Sequence, residues 1–267
     1  MLQFSIVEQV ILAVFLLSGI TFFLYHLLLR LKIVLKGKSD FSVDELPKRI
    51  VRVFDEVILH KKVASGNRKS AGILHALVMY GFIFFGLITI NHFGMAFGFP
   101  IFSESFRHTY FLIFGAPWAI LCTIGILGLA YRRFVIKPEA LGKFSSTSAL
   151  VSVFIVTLMT TYLIDELHIL SGVAEKFNWW LHSGVIGGFL FLIPQSKHMH
   201  LVLSPFNIFL RPFEVPNHGA IPIDMEASEE ELDNLLLDLS RLSKDQARDI
   251  FTCVECGRCT DVCPANS

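Results

Sequence analysis

Near its end the chain reads Cys253-Val254-Glu255-Cys256-Gly257-Arg258-Cys259-Thr260-Asp261-Val262-Cys263-Pro264, a thiol run with C-x2-C-x2-C-x3-C-P spacing. This spacing suits a [4Fe–4S] cluster: thiolates two residues apart reach different corners of one cluster, and the proline stops the turn after the last ligand. Zinc usually takes two separated C-x2-C pairs instead. Cys253, Cys256, Cys259 and Cys263 are therefore the expected metal ligands. In runs of this kind from two-cluster proteins the fourth cysteine ligates the other cluster. Here the sequence stops at Ser267, four residues after Cys263, so the run predicts the front part of a longer protein.

Histidines are the second set with chemistry to offer. Of the ten, His75, His92 and His182 lie within or at the edge of long apolar stretches, and His200 closely follows one. An ionisable side chain in such a stretch is a functional candidate. A polar contact between helices is the plainer reading of any one of them. His75 and His92 are 17 residues apart, about 25 Å of helix, and His182 and His200 are 18 apart, about 27 Å. Two antiparallel helices would bring His75 level with His200, and His92 level with His182. Each level then offers imidazoles from two helices, the arrangement a bis-histidine b-type haem needs. Eighteen residues at about 100° return to one face, but seventeen leave His75 and His92 about 100° apart. His168 is consequently a rival to His92, and His198 a less well-phased rival to His200. Asp165 and Glu166, with His168, could carry protons for a quinone or simply cap a helix at a membrane boundary. Lys197 with His198 could serve a quinone headgroup or a haem propionate, or Lys197 could snorkel.

These residues need a scaffold, and composition names its kind. Of 267 residues 53% are apolar and 26 are Phe, with a mean hydropathy of +0.59, which is membrane composition. The formal net charge is zero, so nothing points to a nucleic-acid partner. The fifth cysteine, Cys122, lies in an apolar run; no disulfide framework is implied, and cluster thiols need a reducing compartment. The N-terminus lacks a basic region and a small-residue cleavage site and reads as a transmembrane segment. Residues 10–29, 70–103, 108–131, 144–164 and 177–196 carry no Asp, Glu, Lys or Arg and are long enough to cross a bilayer. Eleven Lys or Arg lie in segment 30–69 and four in 132–143, against Arg107 alone in 104–107 and Lys176 alone in 165–176. The positive-inside rule puts the first pair of connections in the cytoplasm, the N-terminus outside and the cysteines in the cytoplasm. Trp179 and Trp180 then fall at the outer start of the fifth span, where an aromatic belt is expected.

Between the first two spans Ile50, Val53, Phe54, Val57 and Ile58 recur at helical spacing among charged residues. They predict an amphipathic helix lying on the inner membrane face or packing on the C-terminal region. Pro194 predicts a kink before Ser196. Pro205, Pro212, Pro216 and Pro222 mark an extended linker, followed by an acidic patch from Asp224 to Asp233 and a short amphipathic helix through Leu232, Leu235, Leu236 and Leu239. Ser243 with Gln246 predicts a capping box opening a helix into the cysteines.

Five spans with histidines in the second and fifth resemble the cytochrome b (gamma) subunit of respiratory nitrate reductase. Ile193-Pro194-Gln195-Ser196-Lys197-His198-Met199-His200, with Ser204-Pro205-Phe206-Asn207, is similar to the end of that domain in related proteins. Joined to Cys253-Val254-Glu255-Cys256-Gly257-Arg258-Cys259, the domain resembles the membrane iron–sulfur proteins related to heterodisulfide reductase. Those fuse a five-span cytochrome b domain to two ferredoxin-type motifs and cysteine-rich CCG domains, and some act with electron-transfer flavoprotein as flavoprotein:menaquinone oxidoreductases. This chain departs from them in lacking the second cysteine run and the CCG domains, and in spacing its span-two histidines more widely than the nitrate reductase subunit does.

The sequence thus predicts an all-α membrane protein: a five-helix transmembrane bundle over 1–203, a Pro-rich and acidic linker over 204–228, and over 229–267 the start of a small helical ferredoxin-type [4Fe–4S] segment. The expected function is electron transfer between a cytoplasmic redox partner and the quinone pool. Its cofactors would be [4Fe–4S] and one or two haem b held by His75, His92, His182 and His200. The expected setting is a bacterial or archaeal inner membrane. By resemblance the partner is an electron-transfer flavoprotein and the quinone a menaquinone. A haem-free membrane anchor for an iron–sulfur reductase, or a redox sensor, is the alternative.

Overall fold

A computed structural model describes residues 2–36, 44–64, 68–142, 144–213, 228, 243–257 and 259. The described residues are helical and contain no strand. They fall into two compact units: Met1–Phe22 with Lys62–Leu192 and Cys256–Ser267, and Phe23–Lys61 with Ile193–Glu255.

The larger unit holds the first part of helix α1 (Ile6–Lys36), α3 (Lys69–Ala96), α4 (Glu104–Ile136), α5 (Ser146–Glu166) and α6 (Gly172–Leu192). Uninterrupted apolar runs make these segments helical, because in a lipid-like environment each backbone polar group must be satisfied within its own segment. Ser103 and Ser145 start α4 and α5 by accepting the backbone N–H groups of Phe106 and Ser148. Pro117 has no N–H to give, and a π turn over Phe111–Gly115 precedes it, absorbing the interruption without ending the helix.

Consecutive helices are neighbours, α3 against α4, α4 against α5, and α5 against α6. Small residues let them close. A Cβ on Gly81 of α3 would lie 2.8 Å from Cys122 Sγ, and one on Gly125 of α4 would lie 2.8 Å from the Leu74 carbonyl oxygen. Gly19 of α1 faces Leu190 of α6 in the same way. Such contacts matter because lipid tails offer no hydrophobic drive for helix association, so close van der Waals packing must supply it.

Four helices, α1, α3, α4 and α5, are long and apolar enough to cross a membrane, which marks a multi-pass membrane protein. The expected fifth segment does form a helix: the 21 residues of α6 span about 31 Å. It is less apolar than the four, carrying Glu175, Lys176, Asn178, His182 and Ser183. Trp179, expected in an interfacial belt, is instead buried, packed with Leu12 and Ala96 in a core that Phe4, Phe93 and Trp180 border.

The smaller unit contains the end of α1, α2 (Leu46–Val53) with a π turn over Phe54–Ile58, α7 (His200–Leu210) and α8 (Lys244–Thr252). Both α2 and α8 pack on α7. Arg49, buried in this unit, donates to the carbonyls of Phe209 (2.9 Å) and Arg211 (3.2 Å). These carbonyls at the α7 C-terminus lack intrahelical partners, and cations are favoured there. Ser243 opens α8 with the expected capping box to Gln246.

Two expectations change here. The helix of the fifth segment stops at Leu192. Short 3-10 turns, Ile193–Gln195 and Lys197–Met199, flank an extended Ser196 before α7 begins at His200. The 100° rule thus cannot be carried from His182 to His200. Pro205, expected to begin an extended linker, lies inside α7. Residues 214–227, with Pro216, Pro222 and the first of the acidic patch, lie outside the described residues, as do the leucines from Leu232 to Leu239.

Candidate functional site

The larger unit brings His92 of α3 and His182 of α6 together, with ring centroids 5.0 Å apart. Each is held by its surroundings. Thr161 Oγ1 on α5 donates to the Thr157 carbonyl (2.7 Å), so its lone pairs face His182 Nδ1, also at 2.7 Å. The same oxygen lies 3.2 Å from the Leu158 carbonyl; when its proton goes to either carbonyl, His182 Nδ1–H is the donor to Oγ1 and Nε2 carries the lone pair. That tautomer is the one a metal-ligating histidine needs, with its second nitrogen fixed by an outer hydrogen bond. Asn178 donates to the Thr161 carbonyl (2.9 Å) and ties the same turn of α5 to α6. His92 Nε2 lies 2.9 Å from Ser183 Oγ, and its ring stacks on Trp179 at 4.7 Å.

Both imidazoles line a cavity of about 170 Å³ that also takes in Arg107, Asp165, Glu166 and His168. Arg107 Nε is 3.7 Å from a Glu166 carboxylate oxygen, and both side chains are largely buried. Asn91, buried on α3, accepts the N–H groups of Ile101 and Phe102 at 2.9 Å each and fixes the α3–α4 turn beside this cavity. Gln9 on α1 donates to the Ala96 carbonyl (3.0 Å), and Lys176 pairs with Glu8 (2.7 Å). One end of the bundle therefore gathers three imidazoles, four carboxylates counting Glu104 and Glu175, and an arginine around a small cavity.

The donor set fits haem in its chemistry: two nitrogen ligands from facing helices, one with its tautomer fixed. The separation is tighter than that of a loaded site, since two metal–nitrogen bonds of about 2 Å each plus the inner half of each ring require on the order of 6 Å between centroids. The cavity is also smaller than the roughly 300 Å³ at which ligand pockets usually begin.

The other expected haem ligands are placed individually. His75 is half-buried on α3 in the larger unit. His200, in the smaller, opens α7 and donates from Nδ1 to the Lys197 carbonyl (2.8 Å), which leaves the lone pair on Nε2 as in His182. His198 is 6.3 Å from it between centroids. His168 is exposed, with φ of 50°, just past the end of α5.

Of the four cysteines, Cys253 and Cys259 are exposed, Cys256 is half-buried, and none of the three is in a disulfide; Cys263 lies outside the described residues. Among the described residues no three His, Cys, Asp or Glu side chains converge as a metal-binding group. The fit rests on donor chemistry: three free thiols, at least two of them accessible, at the cluster spacing. Glu255 (φ 53°) and Gly257 (φ 74°) take left-handed conformations around Cys256 and turn the loop sharply.

One cation missed by sequence reasoning, Arg68, and one that it singled out, Lys197, hold residues of this loop. Within the larger unit, Arg68 hydrogen-bonds the Cys256 carbonyl and reaches the Gly257 carbonyl at 3.5 Å. Within the smaller, Lys197 pairs with Glu255 at 3.3 Å, so the lysine considered for a quinone or propionate has a carboxylate from the cysteine run instead. Thr161 was likewise missed, since a threonine in an apolar span gives no signal until the facing histidine is seen.

No family model matches the chain, and no solved structure matches it. Among curated proteins it is similar to one named probable iron-sulfur-binding oxidoreductase FadF, from Bacillus subtilis (strain 168). The two are 29% identical over 276 residues, covering 91% of this chain and 38% of that protein. It is also similar to one named EtfAB:quinone oxidoreductase, from Syntrophomonas wolfei subsp. wolfei, 23% identical over 297 residues, covering 94% of this chain and 40% of that protein. The chain spans about two fifths of the length of the curated relatives it matches. At this low identity, the relatives support kinship with a family of iron–sulfur oxidoreductases.

Proposed function

We propose that this chain is the membrane and entry-cluster portion of a quinone-linked oxidoreductase, passing electrons between a cytoplasmic redox protein and a menaquinone-type pool. The observation that carries this reading is the joining, on one chain, of the C-x2-C-x2-C-x3-C run to four membrane-length apolar helices. Similarity to a protein named EtfAB:quinone oxidoreductase supports the quinone, and through the same name an electron-transfer flavoprotein as partner.

In this reading α6 is the fifth span, the N-terminus is outside and the cysteines face the cytoplasm. Cys253, Cys256, Cys259 and Cys263 hold iron–sulfur clusters, and His92 and His182 hold haem b, with His75 and His200 each a candidate ligand within its own unit. Clusters and haem supply one-electron chemistry when bound, while the protein sets position, polarity and proton access. Thr161 holds His182 in the ligating tautomer. Trp179 and Ser183 orient His92. The part of the cavity lined by Arg107, Asp165, Glu166 and His168 takes the quinone headgroup. Converting quinone to quinol takes up two electrons and two protons, and Glu166 and Asp165 are the groups placed to deliver protons to the ring oxygens. Arg107 keeps Glu166 oriented toward that cavity.

The test uses the full-length protein in nanodiscs, reduced stoichiometrically and then mixed with a water-soluble menaquinone analogue. Reoxidation of the iron–sulfur electron paramagnetic resonance signal together with b-type visible bands is expected. A signal that stays reduced in the presence of quinone overturns the proposal. Reoxidation without b-type bands at any stage supports the haem-free anchor.

A further inference from the structure

The smaller unit contains a helix that is inside out for a water-facing surface. On α2 the positions 46, 47, 50 and 51 fall on one continuous arc at about 100° per residue, which position 54, the first of the π turn, continues; they are Leu46, Pro47, Ile50, Val51 and Phe54. All five are exposed; Ile50 has 57% of its surface open, whereas Arg49 has 5%. Arg49 and Arg52 occupy the opposite arc. Arg49 donates to the Phe209 and Arg211 carbonyls, and Arg52 donates to the Arg211 carbonyl at 2.6 Å. Phe213 covers them, its centroid 3.6 Å from the Arg52 guanidinium carbon. A helix on a soluble face would turn its arginines to water and its aliphatic residues to the core. The reverse arrangement is stable where the outside of the helix is apolar.

Two observations say what that outside is. First, the end of α1 belongs to the same unit and exposes Leu28, Leu31, Ile33 and Leu35, the continuation of a membrane-length helix; only residues 37–45 separate it from α2. Second, segment 30–69 carries eleven Lys or Arg. Of these, Lys48 and Lys61 are well exposed, at 66% and 60% of their side-chain surface, and pair with Glu45 and Asp55; against the segment's five Asp or Glu the eleven cations leave a net charge of +6. A basic margin around an apolar stripe complements an anionic lipid surface, where each such cation near the headgroups adds attraction. A soluble protein partner would find the stripe but would have no reason to select the basic margin.

We infer that α2 lies in the interfacial layer of an anionic bilayer, with Leu46, Ile50, Val51 and Phe54 facing the acyl boundary, so that α7 and α8 are clamped to the membrane surface through Arg49 and Arg52. The inference rests on the reading of the chain as a multi-pass membrane protein. It is tested on the full-length protein in phosphatidylglycerol–phosphatidylcholine nanodiscs, with the photoreactive residue p-benzoylphenylalanine placed singly at Ile50, Phe54, Lys48 or Leu17. Position 17 is an exposed apolar site in the middle of α1 and reports whether the helices are in lipid at all. Illumination is expected to give phospholipid adducts at positions 17, 50 and 54, with at least fivefold less at 48, read by mass spectrometry of the labelled peptides. Lipid adducts at 17 with none at 50 and 54, with equal yield at 48, or with protein–protein crosslinks at 50 and 54, overturn the placement of α2 alone. No lipid adduct at 17 overturns the membrane reading beneath it.

Discussion

Two side chains acting on others, Thr161 and Arg68, set the chemistry at the scale of residues. Thr161 fixes the proton of His182, so Thr161→Val frees the ring to take the other tautomer while removing almost no volume. The expected result is a b-type haem that is lost or spectrally shifted, at unchanged protein yield; outer-sphere partners of metal ligands typically contribute 10–100-fold in affinity. His182→Ala and His92→Ala are both expected to remove that haem outright in the pyridine-haemochrome assay. If His92→Ala retains it while His168→Ala loses it, the span-two ligand is misassigned. In the cysteine loop, Cys256→Ser removes a thiolate and should abolish or distort the [4Fe–4S] resonance while leaving the haem bands. Arg68→Leu leaves two loop carbonyls without their cation. Removing that positive charge should shift the cluster midpoint potential downward in a redox titration, because the oxidised and reduced clusters differ by one negative charge. An unchanged potential would make Arg68 a structural clasp only.

At the scale of elements, the sequence made helices legible and their partners much less so. The spans followed from uninterrupted apolar runs, and the α8 start from Ser243 and Gln246, because length and caps are local. Gly81 allows close packing against Cys122, whereas on the same helix a Cβ at Gly86 would meet nothing within 4 Å; spacing alone does not say which face a neighbour takes. The break after Leu192 was signalled by Pro194, yet the phase from His182 to His200 was carried straight through it. Arg49 could not be read as buried, because its partners are carbonyls at the end of a helix 160 residues away. Two predictions belong here. Gly125→Val drives a branched side chain into the Leu74 carbonyl and should destabilise the α3–α4 pair by about 1–3 kcal/mol, seen as a lower thermal midpoint in detergent. His60, buried with φ of 50°, donates from Nδ1 to the Val57 carbonyl (2.7 Å), and burial lowers its pKa. Its neutral form is favoured by folding. The stabilisation is present above the ordinary histidine pKa of about 6.5 and is lost as pH falls from there through the lowered folded value. Hydrogen exchange in segment 54–64, corrected for intrinsic rate, should therefore accelerate below about pH 6.5, and His60→Asn, which tolerates the left-handed backbone, should flatten that dependence.

For the whole molecule, the distribution of charge makes the sharpest claim. Fifteen Lys or Arg lie in segments 30–69 and 132–143, against two in 104–107 and 165–176. Long domains can cross a membrane regardless of their charge, but these connections are short enough for the bias to set orientation. The four membrane-length helices fix the side of every connection up to residue 166 relative to the first, and α6 decides the rest. Its 21 residues are long enough to cross at about 1.5 Å each. Its buried Asn178, Trp179 and Ser183 point their polarity into the bundle, where transmembrane polar groups belong. If α6 crosses, the cysteines lie on the same side as residues 30–69, where electron donors and reduced thiols are found. If it does not, they lie on the opposite side, with a donor set poorly suited to an oxidising compartment. A reporter active only in the cytoplasm, fused after residue 140 and separately after residue 240, discriminates the two. Activity at both positions is expected. Activity at 140 without activity at 240 would remove α6 from the membrane and overturn the cytoplasmic placement of the cluster; inactivity at 140 would invert the entire bundle.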